Sequence, residues 1–541
     1  MAVTAPPAWS RLGTASGWPV LVILAGQAAL TLRLMWRDGA APAEGAYLNS
    51  WPADPGHWLP GSAGLTAGRL LSLALMLVAT TLLHGATRRL YDRRSAFFAG
   101  AIFAGLAGTA FLGAFASGDA MSVTLLATAA WLGARAAGRR GAAQAGLAAG
   151  AGAMLALVIA AGPGGGGLAG LAGLSLTTLA VWRAGGARAA GQAAAAAGAA
   201  LAGALGTLAL AAGALAAGPA RGTPALDVLR AWLTAAPAGA GGLAGAAEAA
   251  AGSGGTAGSG AGAGGASWPA ALVTGDGRWL AVLAVLALAG ALVTIAARQG
   301  WPVSLLSVVL AAAPLAIPAE TMRVQLGSWL AVPCCCGAWL GCVIAGYGVA
   351  SLARGVPRAK SAAAFGVGIG AVVLAAVPGA GWAGQQVSWP QAGPVVSRVQ
   401  ALLASHDGPV LADGTGDQLR LYLGGSLARR VVMQAGAGGG VRQCDPAACR
   451  VAIAQHRFGI IVLSLWHAGP ASYQLQRAIV LAGYRRVAPV PAAAGGGRPG
   501  APAGPGAAAG SGAAAAAGAG AAGAGGTGAG PWNVWVRAGR P

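Results

Sequence analysis

The alternation of apolar and polar positions divides the chain near residue 390. Before that point, long apolar stretches recur with short polar breaks, at 17–35, 64–87, 95–116, 119–137, 142–162, 168–182, 192–217, 279–297, 301–318, 325–353 and 361–380. A helix of about 20 apolar residues crosses a bilayer core of about 30 Å, so these stretches predict about eleven transmembrane helices. The 168–182 stretch is short and follows Pro163 and four glycines, which also suits a re-entrant segment. The first stretch is too long for a signal-peptide core and lacks a small-residue cleavage site, so it reads as a retained span.

Beyond 390 the period changes. Pro394 to His406 reads as an amphipathic helix, Pro409 to Asp413 as a strand, Asp417 to Leu423 as a helix and Arg430 to Met433 as a strand. Asp445 to Arg457 is helical in pattern, Gly459 to Ser464 a buried strand, Ser472 to Leu481 a helix, Tyr484 to Val490 a strand and Trp532 to Arg537 a last strand. Strands alternating with helices predict an α/β layer. The expected fold class is a polytopic α-helical membrane protein with a C-terminal extracytoplasmic α/β domain. Two low-complexity stretches interrupt it: a flexible Gly/Ala loop at 238–266 and an insert at 491–530 expected to be disordered.

Composition agrees with the pattern. Of 541 residues 56% are hydrophobic and 9% charged, against roughly 25% charged in soluble domains. The 94 glycines suit closely packed membrane helices. A net charge of +21 would suggest nucleic acid, but the arginines sit at the ends of apolar runs rather than on one basic face, which excludes that partner class.

The same charges orient the chain. With the N-terminus cytoplasmic, the cytoplasmic ends of the spans hold fourteen basic residues, among them Arg88, Arg89, Arg93, Arg94, Arg135, Arg139 and Arg140. The other side holds seven, Arg69 and Arg323 included, spread over longer loops. This is the positive-inside pattern of a multi-pass plasma-membrane protein. Of nine acids before residue 390, only Asp92 falls on the cytoplasmic side. Two readings stand: an extracytoplasmic site built from carboxylates, or acids that merely occupy the longer loops. The domain after 390 carries 13 Arg and 4 acids. That balance fits anionic lipid head groups or glycan phosphates, and equally a solvated surface.

Other patterns carry little chemistry. Cys334, Cys335 and Cys336 lie in an apolar run and read as buried thiols. Cys444 and Cys449 either form a disulfide in an oxidising compartment or are set apart by a helix. Gly366 to Gly370 lies in a span without a preceding strand, so it is helix packing and not a dinucleotide loop. The five histidines are scattered, and no Cys/His spacing argues for zinc.

Several stretches resemble the polyprenyl-phosphate-dependent glycosyltransferases of the C superfamily, the group of protein O-mannosyltransferases and the aminoarabinose transferase of lipid A, and most resemble its actinobacterial members. They are Gly64 to Met76, His84 to Arg94 and Phe111 to Met121, with Arg457 to Leu463 and Gly483 to Val487 in the C-terminal part. The resemblance implies a transmembrane glycosyltransferase-like domain over 1–380 and a soluble α/β domain over 390–541. In that family the first outer loop carries an Asp-Glu pair whose aspartate acts as base. The matching stretch here is Ala43-Glu44-Gly45-Ala46-Tyr47-Leu48, a degenerate form that keeps the glutamate alone. The second outer-loop acid is matched by Asp119. A Lys/His-bearing stretch after Arg323 is replaced by Val332 to Cys336, and a Thr-Lys-Tyr stretch near 155–162 is absent.

The implied reaction is an inverting transfer of a hexosyl or pentosyl group from a polyprenyl-phosphate donor to an extracytoplasmic acceptor, a cell-envelope glycan or protein. A carboxylate beside the acceptor hydroxyl supplies general-base help of roughly 10²–10⁴-fold. A cation beside the phosphate steadies the leaving group. Glu44 and Asp119 are the catalytic candidates; the plain alternatives are a loop acid and a helix N-cap. Arg323 is a candidate for gripping the phosphate, or else a surface partner of Glu320. Tyr47, His57 and Trp58 are candidates for substrate binding, with interfacial aromatics as the commoner role of such residues. No cofactor is assigned, and a divalent cation is compatible with the acids. The alternative function is a catalytically degenerate relative that binds lipid-linked glycan or scaffolds a partner enzyme.

Overall fold

A computed structural model describes residues 18–35, 44, 48, 62–116, 118–136, 139–161, 190–216, 278–296, 307–308, 310–311, 331–355, 370, 373, 393–413, 416–423, 425–434, 443–444, 446–464, 470–487 and 532–537. The chain forms two compact units. The first comprises Met1–Trp36, Thr66–Ala240 and Gly260–Gln386; the second comprises Arg37–Leu65, Gly241–Ser259 and Val387–Pro541.

The helices of the first part are α1 (Trp18–Met35), α2 (Ser62–Leu90), α3 (Arg93–Gly105), α4 (Ala107–Ala114), α5 (Gly118–Ala136), α6 (Ala142–Ala161), α7 (Ala190–Ala216), α8 (Arg278–Ala296) and α9 (Ala331–Gly355). Among the described residues one helix, over Gly64–Leu90, is by itself long and apolar enough to cross a membrane, and the α3–α4 pair passes the same test jointly. The stretch at 168–182 lies outside the described residues, as do most of 301–318 and 361–380.

These helices are apolar on the outside. On α8, Val285, Leu288, Leu292 and Ile295 are exposed at helical spacing; Leu201 and Leu205 on α7 and Leu21 and Val22 on α1 are exposed as well. Many inward positions are small or polar, such as Ala284, Ala287, Ala291 and Thr294 on α8 and Gln27 and Thr31 on α1, beside the larger Leu283 and Ile23. A water-soluble helix has the reverse arrangement, apolar stripe inward and charge outward. An outward apolar face is at home against lipid tails.

Close packing follows from the small residues. A Cβ added to Gly152 of α6 would run into the carbonyl of Ala200 on α7, and one on Gly203 into the carbonyl of Ala149. Polar side chains join helices where backbone carbonyls are within reach. Thr124 on α5 donates to the carbonyl of Leu75 on α2 at 2.9 Å, and the indole of Trp339 on α9 donates to that of Ala79 at 3.2 Å.

The 95–116 stretch, expected as one span, is broken. α3 and α4 meet at a bend of 62°, because Leu106 is extended (φ −66°, ψ 140°) and leaves the helical ladder. Gly105 and Gly108 flank it, and glycine is the residue that holds a helix least firmly.

The second unit contains α10 (Gly393–Leu403), β1 (Val410–Ala412), α11 (Gly416–Leu423), α12 (Gly425–Ala428), β2 (Val431–Gln434), β3 (Gln443–Cys444), α13 (Pro446–Ala454), β4 (Ile460–Ser464), α14 (Pro470–Leu481), β5 (Arg485–Arg486) and β6 (Trp532–Val536). The six strands lie in the order β3-β2-β1-β4-β6-β5. β3, β2, β1 and β4 are parallel, and β6 runs antiparallel to β4 and β5. Both faces are covered, as a parallel sheet requires. Val395, Val399, Leu419 and Leu423 from α10 and α11 pack on one face with Val410, Ile460 and Trp532. Cys449, Ile453, Leu475 and Ile479 from α13 and α14 pack on the other with Leu411, Ile461 and Trp535.

The strands and helices expected after 390 are present, with the short β3 and α12 in addition. The strand expected over 484–490 is described as far as Val487, and the insert at 491–530 lies outside the described residues, as does the loop at 238–266. Cys444 and Cys449 are joined by a disulfide that ties the end of β3 to the first turns of α13.

Candidate functional site

Asp119 stands in the first turn of α5 and is half-buried. Two observations set the direction of α2 beside it. Leu75 meets Thr124, and ten residues further along α2 a Cβ on Gly85 would lie 3.1 Å from the indole of Trp131. The two helices therefore run parallel. At about 1.5 Å of rise per residue, Asp119 lies about 7.5 Å before the Thr124 contact and Arg69 about 9 Å before the Leu75 contact. The two residues stand near the same end of the two parallel helices.

Arg69 is 4% exposed. Its Nη1 donates to the carbonyl of Met35 at 2.9 Å, and its guanidinium lies 5.5 Å from the ring centre of Phe115, four residues ahead of Asp119. A cation at the last carbonyls of α1 meets the negative end of that helix dipole. An arginine withdrawn from water this far is costly without such partners. The result is a junction of four elements: the end of α1, the start of α2, the end of α4 and the start of α5, with a cation and a carboxylate at the same end of the bundle.

Arg69 was read from the sequence as one of the basic residues at an outer span end. The signal that could have singled it out is its position inside the 64–87 apolar run, where a charge needs an internal partner.

Glu44 is helical and 1% exposed, with Leu48 one turn on and 2% exposed. It belongs to the second compact unit, and Asp119 to the first. Tyr47, His57, Trp58 and Arg323 lie outside the described residues. Cys334, Cys335 and Cys336 fall in α9, with their side chains outside the described ones, and Cys342 on the same helix is fully buried. Among the described residues no three His, Cys, Asp or Glu side chains gather into a metal site.

No family model matches the chain, and no curated protein matches it in sequence. Solved structures match in shape. The archaeal oligosaccharyltransferase AglB from Archaeoglobus fulgidus, in complex with an inhibitory peptide and a dolichol-phosphate, is similar at 11% identity and a TM-score of 0.50, over 89% of this chain and 74% of that one. The same oligosaccharyltransferase tethered to an acceptor peptide with an NVT sequon is similar at 12% identity and 0.49, over 88% and 73%. ArnT from Cupriavidus metallidurans bound to undecaprenyl phosphate is similar at 14% identity and 0.47, over 86% and 95%. At these identities the first likeness bears on fold alone: this chain has a fold similar to that of the archaeal oligosaccharyltransferase.

Proposed function

We propose that this chain is a multi-pass membrane glycosyltransferase that transfers a sugar from a polyprenyl-phosphate donor to an extracytoplasmic acceptor, a cell-envelope glycan or protein. The observation that carries the reading is the half-buried Asp119 at the same end of the helix bundle as the buried Arg69, in a chain whose fold is similar to that of an oligosaccharyltransferase solved with dolichol-phosphate. The disulfide between Cys444 and Cys449 supports an oxidising, extracytoplasmic location for the second unit.

In this reading the acceptor hydroxyl attacks the anomeric carbon. A new C–O bond forms, the bond from that carbon to the phosphate oxygen breaks, and the configuration inverts. A carboxylate takes the hydroxyl proton as the bond forms, which is worth roughly 10²–10⁴-fold. Glu44 is assigned as the base, and Asp119 to supporting it or orienting the acceptor. Arg323 is assigned to the departing phosphate, and Tyr47, His57 and Trp58 to the substrate. Arg69 is a positioning residue that fixes the end of α1 against the α4–α5 junction.

The decisive assay measures sugar transfer from a labelled polyprenyl-phosphate donor by purified wild type, Glu44→Gln and Asp119→Asn. Loss of roughly 10²-fold or more in at least one variant, with donor binding kept, is the expected result. Full activity in both overturns the site. The alternative, a degenerate relative that binds lipid-linked glycan or scaffolds a partner enzyme, is favoured by Ala43 standing where the family pairs an aspartate with Glu44. Wild type that binds donor and never transfers decides for it.

A further inference from the structure

Five of the ten described arginines of the second unit lie at one edge of its sheet. α10, α12, α13 and α14 each end where a strand begins, so four helix C-termini gather at the amino-terminal edge of β1, β2, β4 and β5. The connections there carry His406, Arg429 and Arg430, His456 and Arg457, and Arg485, and Arg537 follows β6 at the same edge.

Contacts make these one continuous row. Arg430 donates through Nη2 to the carbonyls of Gly408 at 2.8 Å and His406 at 3.2 Å. Gly408 adjoins Gly459, whose amide donates to the carbonyl of Pro409 at 3.0 Å. The carbonyl of Gly459 accepts from the Arg537 amide at 3.0 Å, and Arg537 Nη1 donates to the carbonyl of His456 at 3.3 Å. The His456 ring stacks on Tyr484, next in the chain to Arg485.

Part of this charge serves the fold, because cations neutralise helix C-termini. Arg430 is engaged with the carbonyls of His406 and Gly408 in the loop after α10. Arg457 and Arg485 are exposed, and their guanidiniums make no hydrogen bond among the described residues. The acid at this edge is Asp407. Beside the row, the end of α14 presents Val480 at 63% and Leu481 at 78% exposure. Arginines beside protruding aliphatic side chains suit a membrane interface, where the cations meet phosphates and the aliphatic groups enter the acyl boundary. A soluble polyanion would satisfy the cations and leave Leu481 in water.

We propose that this edge is a docking surface for an anionic lipid head-group layer. The attraction between arginines and such a surface fades within a Debye length of about 8 Å.

The test uses full-length protein in nanodiscs of phosphatidylcholine alone and of phosphatidylcholine with about one third phosphatidylglycerol, a strongly anionic mixture. Hydrogen exchange is followed at 404–409, 455–459 and 479–487. The expected result is severalfold slower exchange in the anionic discs, relieved at about 0.5 M salt. It should be lost in a variant carrying Arg457→Gln with Arg485→Gln, and reduced by Arg457→Glu alone should that double variant fold poorly. Equal exchange in the two disc types overturns the proposal. So does protection that survives both variants. Equal protection by pyrophosphate added to phosphatidylcholine discs also overturns it, in favour of a soluble phosphate ligand.

Discussion

The phenol of Tyr484 donates to the carbonyl of Phe458 at 2.9 Å and so ties the turn after α14 to the loop that enters β4. Tyr484 is buried against Phe458, Leu475 and Ile479. Burial pushes its pKa up from 10.0, against a smaller downward pull from the charge of Arg537. A group whose folded pKa is raised contributes stability that is complete below the unfolded value and is lost as pH rises through the folded one. The second unit should therefore lose stability as pH climbs above about 10. Tyr484→Phe should flatten that alkaline limb and cost about 1 kcal/mol at neutral pH. Denaturant unfolding of both proteins between about pH 8 and about pH 11 checks this.

Two helices of this unit end on the same hydrogen-bond pattern with different residues. At α14 the amides of Gly483 and Tyr484 donate to Val480 and Ile479; at α13 those of His456 and Arg457 donate to Ile453 and Ala452. Each closure needs a left-handed residue, supplied by Gly483 at φ 74° and by His456 at φ 53°. A Cβ on Gly483 would meet nothing within 4 Å. Gly483→Ala therefore isolates the backbone effect, with an expected loss of about 1–2 kcal/mol. His456→Val should cost at least as much, because a β-branched residue tolerates this conformation worst. His456→Asn should be close to neutral.

The α6–α7 contact offers a matched pair of glycine substitutions. At Gly152 a side chain would collide with the carbonyl of Ala200, a backbone atom that cannot swing aside. Gly152→Val should therefore separate the helices and lower the melting temperature of the detergent-solubilised protein by several degrees. Gly146, on the same helix with open space at its Cβ, should accept alanine with unchanged or improved stability. Equal effects at the two positions would show that α6 and α7 do not approach as described.

The disulfide between Cys444 and Cys449 gives a readout of compartment. Alkylation of intact cells followed by peptide mass analysis should find this pair unmodified until a reductant is added. Immediate alkylation would place the second unit in a reducing compartment and remove one support for the proposed function.

Much of the molecule was legible in residue order, because its elements have different periods. Long apolar runs marked α1, α2 and α5 to α9, and alternation with turn residues marked the strands β1, β2, β4 and β6. The break at Leu106 was not legible, since the run through it is uniformly apolar and hydrophobicity does not report backbone direction. The role of Arg69 was hidden for a related reason. Counted along the chain it is one more arginine near a span end, and only the approach of α1 and α4 buries it against Met35 and Phe115.

The sequence alone determined which segments are apolar enough to leave water, where they give way to an α/β domain, and which acids stand near span ends. Those properties are set residue by residue through transfer free energy and local propensity. Tertiary structure decided that Arg69 and Asp119 stand at the same end of the bundle, that Cys444 and Cys449 are joined, and that arginines from separate connections form one edge. Each of these relations depends on the direction in which elements are packed, which no local pattern encodes.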